Sequence, residues 1–430
     1  MPTKPNGNIT LAADNVQILN TVRANSSPLY QDRIPLATRE NFAQVGNSLL
    51  EFSPSMNEFL PELLNRIALT VISSKNYNNS LRMFKKGMLG YGEDVNEIFV
   101  SLARAHQYNP AVAEKTLFKR EIPDVSSVFH RVNYKNFWKV TIQWEELRMA
   151  FNSQYGLQQL TQKIIDSLYS SEQFDEFVIM KEQIVNAVNN GRMRTVQVPA
   201  GNDKETLDEV AIAIRAMSNM WVFMDNSYNE LGVLTYTPKD EQYLILDAAF
   251  AARFDVQELA AAFNMDKVEF LGHQILIDNF STLTPQGAIA AMVSRDWFMD
   301  FDKERVFKAV ENGEGLYWNY NYHAWKIFST SPFANAVLFT TAPSTVTGIT
   351  ISGADSVQPG KNVQFTASIA GTGTPFKGVE WTVSEPTNSY ITNQGLLVVG
   401  QFERAATLTV TATAIGNRSI QATQTVTITA

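Results

Sequence analysis

The chain has 430 residues, of which 45% are hydrophobic, and this is enough apolar sequence for two or three packed domains. Its formal net charge of −8 argues against a protein whose main task is to grip nucleic acid, because such proteins carry basic surfaces. It contains no cysteine, which excludes disulfides, thiolate metal sites and cysteine nucleophiles. The polar N-terminus has no secretory signal and no apolar run approaches the ~20 residues that span a bilayer, so we expect folding in a reducing cytoplasm.

The N-terminal part reads as an arm followed by a mixed segment. Residues 1 to about 32 are rich in Asn, Pro and Ser, and we expect an extended or partly helical arm. Residues 33–80 combine turn-rich sequence with an amphipathic helix, and the β-branched stretch 67–72 begins a strand.

Residues 81–142 lack a continuous apolar period and predict a long two-stranded excursion with a helical insert. A basic group, Arg82, Lys85 and Lys86, precedes a glycine cluster and an acidic group. We interpret the basic group as a contact for acidic residues of a neighbouring subunit, with plain solvation or DNA contact as alternatives.

A long helix is predicted over Leu157–Asn190, with Gly191 as the residue after its end. Its apolar residues change face part-way, which indicates that the two ends pack against different neighbours. The alternative is two helices that break near Ser170 and Ser171.

The following segment alternates helices and strands and predicts an α+β or α/β layer with its own core. The predicted helices are Leu207–Trp221 and Val256–Asn264, and the predicted strands are Tyr243–Leu246, Ile275–Asp278 and Ile289–Val293. Aromatic, β-branched strands then return between Trp318 and Phe339 and are expected to pack on the long helix. The aromatic run GLYWNYNYHAW, Gly315–Trp325, must be buried, since otherwise it would leave an exposed apolar patch that promotes association.

The chain changes character near Pro343. Beyond it the sequence is dense in threonine, nearly free of charge and alternates apolar with polar residues, which is typical of a small β-sandwich. We expect Trp381 to fill the core of this sandwich.

No catalytic or metal-binding motif stands out. The four histidines are not paired at metal-ligand spacing, and His323 is expected to be a packed core residue. Glu145 and Glu146 are adjacent and point in different directions, so they do not form an acid–base pair. We predict a building block that is not an enzyme and that has no cofactor and no metal site.

Several short motifs of rare composition occur here in an order that is specific to one protein family. They are IPLAT (Ile34–Thr38), FKKG (Phe84–Gly87), DWFM (Asp296–Met299), GLYWNY (Gly315–Tyr320) and FANAV (Phe333–Val337). With them the chain closely resembles, nearly end to end, the major head protein of phi29-like podoviruses. The tail separately resembles a bacterial Ig-like group 2 domain through QFTA (Gln364–Ala367), VEWTV (Val379–Val383) and NQGLL (Asn393–Leu397).

The resemblance implies an α+β fold of the HK97 capsid type joined to an all-β Ig-like sandwich. It assigns residues 1–50 to an N-terminal arm, 51–342 to the body and 344–430 to the Ig-like domain. Within the body it implies an E-loop at about 75–142, a spine helix at about 157–190 and an A-domain at about 205–310.

The same resemblance implies the function and the partners. The chain is expected to assemble with itself into the hexamers and pentamers of a phage head that encloses double-stranded DNA without sequence-specific binding. The expected partners are scaffolding protein, the portal or connector, and either a head fibre or the host surface. The expected location is the virion shell, with the host cytoplasm during assembly.

The candidate residues fall into three groups. The E-loop candidates for contacts between subunits are Arg82, Phe84, Lys85, Lys86, Glu93, Asp94, Arg120 and Glu121. The apolar spine-helix residues are Leu157, Leu160, Ile164 and Leu168 on one face and Phe174, Phe177, Ile184 and Val188 on another. The expected Ig-like core is Phe365, Trp381, Leu396 and Val410.

Two other functions remain as alternatives. A surface adhesion protein would bind glycans through its Ig-like domain. A polysaccharide-active enzyme would carry paired carboxylates in a cleft of the body, and the sequence shows no such pair.

Overall fold

The computed structural model describes residues 14–52, 54–60, 62–63, 77–90, 92–103, 125–152, 155–253, 273–280, 287–384, 386 and 388–429. Five sequence predictions lie outside these residues. They are the strand at 67–72, the helical insert of the two-stranded excursion, the helix Val256–Asn264 and the E-loop candidates Arg120 and Glu121.

The N-terminal residues from 14 onward form short helices that pack on their own chain. These are α1 (Asn15–Asn25), α2 (Pro28–Arg33) and α3 (Phe42–Leu50). Asp14 caps α1 by accepting a hydrogen bond from the backbone N–H of Gln17. The apolar face of α1 packs into a buried cluster that includes Leu157 and Trp318, which we call the first core. The Asn15 side chain donates to the Ala150 carbonyl (3.0 Å) and accepts from the Leu157 N–H (3.2 Å). Of the two expectations for this arm, the partly helical one is therefore what the structure shows for residues 14–50.

Residues 95–100 and 125–130 form a two-stranded antiparallel ribbon, as predicted for this part of the chain. The short strand β1 (Gly87–Met88) precedes it, and β2 (Val95–Val100) pairs with β3 (Val125–His130). Val95 lies opposite His130 and Val100 lies opposite Val125. We call β2 and β3 the ribbon.

The long helix is continuous, so the alternative of two broken helices is wrong. After α4 (Trp144–Asn152), α5 runs unbroken through 34 residues, Gly156–Asn189, and Gly191 follows with a φ of +71°. That positive φ is readily adopted only by glycine, which is why the helix ends there.

The predicted change of face along α5 is confirmed, with one correction. Leu157, Ile164 and Leu168 lie in the first core and Phe177, Ile184 and Val188 lie in another, which we call the third core. Leu160 is half-buried and packs against the first core, on the predicted side of the helix. Phe174 belongs to neither core, because its exposed ring lies edge-on to Tyr77 at a centroid distance of 6.0 Å.

The first sheet has the strand order β1-β9-β10-β4. It is built from β4 (Tyr134–Gln143) and a long hairpin of β9 (Phe301–Asn312) and β10 (Tyr317–Ile327). Alternation splits the aromatic run between two faces, so the expectation of complete burial is wrong for part of it. The core face carries buried Trp318, Tyr320 and Tyr322. His323 is half-buried on the opposite face and stacks on Phe137, so it is not the core residue that we expected.

The second sheet has the order β5-β11-β8-β6-β7, and its three central strands are buried on both faces. Its strands are β5 (Arg194–Gln197), β6 (Gln242–Asp247), β7 (Gln274–Ile277), β8 (Ala288–Ser294) and β11 (Ala336–Thr340). The helix α6 (Lys204–Met220) shares a second core with one face, and the C-terminal half of α5 shares the third core with the other. A further short helix, α7 (Ala248–Ala251), follows β6.

The predicted strands and the helix near Leu207–Trp221 are confirmed. The sheet also recruits β5 and β11 from outside residues 205–310, whereas β9, which begins at Phe301, pairs in the first sheet.

The C-terminal domain is all-β, as predicted. Its strands are β12 (Thr345–Ser352), β13 (Ser356–Val357), β14 (Asn362–Gln364), β15 (Thr366–Thr372), β16 (Val379–Val383), β17 (Tyr390–Ile391), β18 (Leu396–Val398), β19 (Thr407–Ala414) and β20 (Gln421–Ile428). They form the sheets β12-β15, β13-β20-β19-β16 and β14-β18-β17 around one apolar core.

Phe365 and Val410 are buried in this core, and Trp381 packs half-buried against it with its ring 6.4 Å from that of Phe365. Leu396 is a correction, because its neighbour Leu397 is the fully buried residue. In a strand a shift by one residue exchanges the two faces, which accounts for the error.

The C-terminal domain docks on the body beyond the end of α5. The Lys377 N–H donates to the Gly191 carbonyl at 2.8 Å, and Arg418 bridges Glu380 (2.9 Å) and Asn226 of the body. Among the described residues, no helix is both long and apolar enough to cross a membrane.

Candidate assembly surface and buried charge network

Phe84 and Lys85 lie inside the body, which corrects their assignment to contacts between subunits. A single helical turn, Arg82–Phe84, turns the Phe84 ring into the third core, where it stacks on Phe298 at 4.7 Å. The Lys85 ammonium lies 2.7 Å from Glu176 and 2.9 Å from Asp302 of the same chain. Both residues therefore anchor the chain just before the ribbon to the body.

Lys85 is part of a larger buried network between α5 and the first sheet. Its other cations are Lys326, which lies against Glu172 and Glu176, and Arg305, which lies 3.2 Å from Glu172 and 3.1 Å from Asp302. The three carboxylates thus balance three cations, as burial of charge requires.

The network changes the pKa values of several of its members. Burial raises the pKa of Tyr322, and the Glu172 carboxylate that its hydroxyl donates to at 2.7 Å raises it further. Burial alone would raise the pKa of Asp302, but Lys85, Arg305 and Lys326 outweigh it and hold that pKa below its ordinary value. The pKa of Arg305 is raised, because Glu172 and its acidic neighbours outweigh the opposing effect of burial.

Oxygens of Glu172, Glu176 and Asp302 lie within 4.8 Å of one another, a spacing that a metal ion would accept. The ammonium groups of Lys85 and Lys326 already lie between these oxygens. The lysines supply the positive charge, so the donor set is that of an ion-pair network and does not fit a cation site.

Asp300 is a fully buried carboxyl beside this network. One oxygen accepts from the Gln183 side chain (2.7 Å) and from the Ser329 N–H (3.1 Å). The other oxygen has no hydrogen-bond partner among the described residues. Burial raises the pKa of Asp300 to about 7, although its two hydrogen bonds and the positive charge of Lys85 oppose the change.

The other described E-loop candidates lie at the surface. Arg82, Glu93 and Asp94 are exposed. Lys86 is paired with Asp296 of its own chain. Asp94 lies 4.0 Å from Arg131, a distance at which an exposed pair contributes little to stability.

The ribbon carries an apolar face that is largely exposed in the described chain, although the Arg131 guanidinium lies 5.9 Å from the centre of the Phe129 ring. Its residues are each more than half exposed and lie on one side of the two strands: Ile98, Val100, Val125 and Phe129. We call these four residues the outer ribbon face. The sequence analysis selected charged residues near this segment and missed these apolar ones, although half-buried and exposed residues alternate along β2. A contiguous exposed apolar face of this kind marks an interaction surface.

A second exposed surface is the side of the first sheet that faces away from α5. Lys139 and Lys308 both lie opposite Asn321, one on each neighbouring strand. Phe137 and Val310 on this side are each more than half exposed. With Lys135, which covers the Trp325 ring at 4.7 Å, these residues form what we call the outer sheet face.

Comparison with known proteins identifies the family. The sequence model of one protein family, the Phi29-like phage major capsid protein family, matches residues 19–340. The chain belongs to this family of capsid proteins. The major capsid protein of Bacillus phage B103 is 36% identical over 91% of this chain and 88% of its own length. The corresponding protein of Bacillus phage PZA is 34% identical over 93% and 90%.

Solved structures show the same fold at low sequence identity. A chain from the capsid of Staphylococcus phage Andhra is 16% identical, with a TM-score of 0.51 over 64% of this chain and 87% of its own. A chain from the head fibre and inner core structure of bacteriophage P68 gives a TM-score of 0.50 at 12% identity. The mixed α/β body thus has a phage capsid fold, and the protein is a major capsid protein of the virion shell.

Proposed function

We propose that this capsid protein has the HK97-type arrangement and assembles into the hexamers and pentamers of a head that encloses double-stranded DNA. Its membership of the phi29-like family and its fold support the proposal. The single observation that carries it is the outer ribbon face, an apolar surface on two paired strands whose four side chains are each more than half exposed.

The outer ribbon face is proposed to dock on a neighbouring copy. Val100 and Val125 lie directly opposite each other, and Phe129 extends the same side toward the root of the ribbon. Burial of these side chains contributes about 25 cal/mol for each Å² of apolar surface that is removed from water. Each contact is modest, but closed symmetry repeats it around every ring, and the many contacts add up.

The proposed receptor is the outer sheet face of the neighbour. It offers Phe137 and Val310 to the apolar ribbon. Its lysines, among them Lys139 and Lys308, complement the exposed acidic pair Glu93 and Asp94 at the ribbon root. Charges at such a rim fix register and speed association more than they add affinity.

The remaining partners are proposals that rest on family resemblance. Scaffolding protein would act in the host cytoplasm during assembly, a portal or connector would occupy one vertex, and the packaged DNA would be enclosed without sequence-specific contacts.

The C-terminal domain is proposed to be an Ig-like group 2 domain on the outer side of the shell. Its all-β topology around Phe365 and Val410 is consistent with this. A head fibre or the host surface is the proposed partner there. The adhesion alternative finds no support in the comparisons, whose named relatives are major capsid proteins. Shells that form and stay intact after deletion of residues 344–430 would show that the domain is not an essential brace.

Electron microscopy of the expressed protein, alone and with scaffolding protein, tests the proposal. Closed shells, or rings of five or six subunits, are expected from the wild type. Phe129→Ser, on the outer ribbon face, is expected to remain unassembled. The matched control is Phe402→Ser in the C-terminal domain, where the native ring is 74% exposed. A wild type that stays monomeric under both conditions contradicts assembly, whereas normal shells from Phe129→Ser contradict only the ribbon contact.

A further inference from the structure

The inner side of the ribbon rests on the body through a joint that is mainly polar. The His130 ring is buried, with Nδ1 2.6 Å from the Ser329 hydroxyl and Nε2 3.2 Å from Glu97. The second oxygen of Glu97 accepts from the Ser331 hydroxyl at 2.6 Å. An apolar contact is added by the Phe99 ring, which stacks on Phe333 at a centroid distance of 5.4 Å.

This joint continues into the body as one chain of hydrogen bonds. Ser329, whose hydroxyl meets His130, also donates its backbone N–H to Asp300. Gln183 of α5 donates to the same oxygen of Asp300. A single path therefore runs from a fully buried carboxyl, through Ser329 and His130, to Glu97 on the ribbon.

The segments on the two sides of the ribbon differ in how they are held. Gly92 has a φ of +80°, and a Cβ placed there would meet nothing within 4 Å. On the other side, the Asn133 side chain holds both the N–H and the carbonyl of Phe328, at 2.9 and 2.7 Å. Small polar interfaces of this kind separate more readily than apolar ones.

We propose that the hydrogen-bonded chain Asp300–Ser329–His130–Glu97 is a proton-controlled latch that sets how firmly the ribbon is held against the body. With Asp300 neutral, the joint stays closed. Ionisation of Asp300 places a negative charge in a dry site, and the cost falls when the joint opens and water reaches the carboxylate. The raised pKa of Asp300 places this change near neutral pH.

The charges around Asp300 act in both directions, and burial is what raises its pKa. On the Asp300 side, Lys85 favours the ionised form, while Glu176 of α5 disfavours it. On the ribbon side, the charged groups are Glu97 beside His130 and the exposed pair of Arg131 with Asp94. A carboxyl whose pKa is raised in the closed state binds its proton more tightly there, so a rise in pH favours opening.

Hydrogen exchange of the full-length, unassembled chain tests the latch, so the result does not depend on the proposed assembly. After correction for intrinsic exchange rates, protection of the ribbon amides is expected to fall about tenfold between pH 5.5 and pH 8. Asp300→Asn, which cannot ionise, is expected to show the same protection at both pH values.

Ser329→Ala keeps Asp300 but removes the hydroxyl that meets His130. Its ribbon protection is expected to lose the pH dependence, while its global unfolding keeps the pH dependence that comes from Asp300. Ribbon protection that is independent of pH in the wild type overturns the proposal. An unchanged pH response of the ribbon in Ser329→Ala also overturns it, because the proton would then act by another route.

Discussion

The ammonium nitrogen of Lys326 lies 2.5 Å from a carboxylate oxygen of Glu172, and both side chains are almost completely buried. The pair joins β10 of the first sheet to the middle of α5. Glu176 and Asp302 complete the anionic side of the same site, so removal of the lysine leaves buried negative charge without compensation.

Lys326→Met is therefore expected to lower the free energy of unfolding by about 3–5 kcal/mol. Urea unfolding of the unassembled chain, followed by circular dichroism, measures it. Lys308→Met on the exposed outer sheet face is the matched control and is expected to change stability by less than ~0.5 kcal/mol. Equal small effects of the two substitutions would show that the buried charges rearrange or protonate at little cost.

Asp300 makes stability depend on pH in a defined direction. Its pKa is about 7 in the folded chain against 3.8 ordinarily, so between these values the folded state binds a proton that the unfolded state has lost. The contribution of Asp300 to the free energy of unfolding therefore falls as pH rises from about 4 to 7 and is constant above that. At 1.36 kcal/mol per pKa unit, the total is about 4 kcal/mol. The difference between wild type and Asp300→Asn, measured by urea unfolding at pH 5, 6, 7 and 8, should follow this curve; a constant difference would contradict it.

Phe84 provides a test of its corrected position. Phe84→Ala is expected to cost about 3–5 kcal/mol in stability, because the ring is enclosed by the third core and a cavity remains. Its neighbour Met83 is 46% exposed, and Met83→Ala is expected to be nearly neutral. Thermal unfolding of the unassembled chain distinguishes the two. Were Phe84→Ala to leave stability unchanged and impair only assembly, the original assignment to a contact between subunits would be right.

The register of β18 is open to a similar comparison of adjacent residues. Leu397→Ala is expected to destabilise the C-terminal domain by about 2–5 kcal/mol, and Leu396→Ala by less than ~1 kcal/mol. Hydrogen exchange of β19 and β20 reports on this domain within the full-length chain. A larger loss of stability from Leu396→Ala than from Leu397→Ala would show that Leu396 is the residue that faces the core.

Local patterns in the sequence predicted much of the fold. The length and changing face of α5, the strands β6, β7 and β8 of the second sheet and the all-β tail depend on periodicity and turn residues, which act over a few positions. Leu396 shows the limit of this reasoning: alternation in NQGLL shows that two faces exist but does not say which one is buried.

The site was less accessible to sequence reasoning because its contacts join distant segments. Lys85 meets Glu176, which is 91 positions away, and Asp302, which is 217 positions away. Nothing near Lys85 in the sequence distinguishes a buried, paired lysine from a solvated one. The outer ribbon face was missed for a related reason, since strand alternation is the same whether the apolar side meets a core or a neighbour.

The continuity of α5 has a mechanical consequence. A helix of 34 residues is about 50 Å long at 1.5 Å per residue, and its ends are embedded in different cores. Its start is bonded to Asn15 near the N-terminus, and the Gly191 carbonyl just beyond its end holds the C-terminal domain. Internal pressure on such a shell would be carried along this rod from one end of the subunit to the other, and the buried ion pairs at its middle would resist shear between the rod and the sheet.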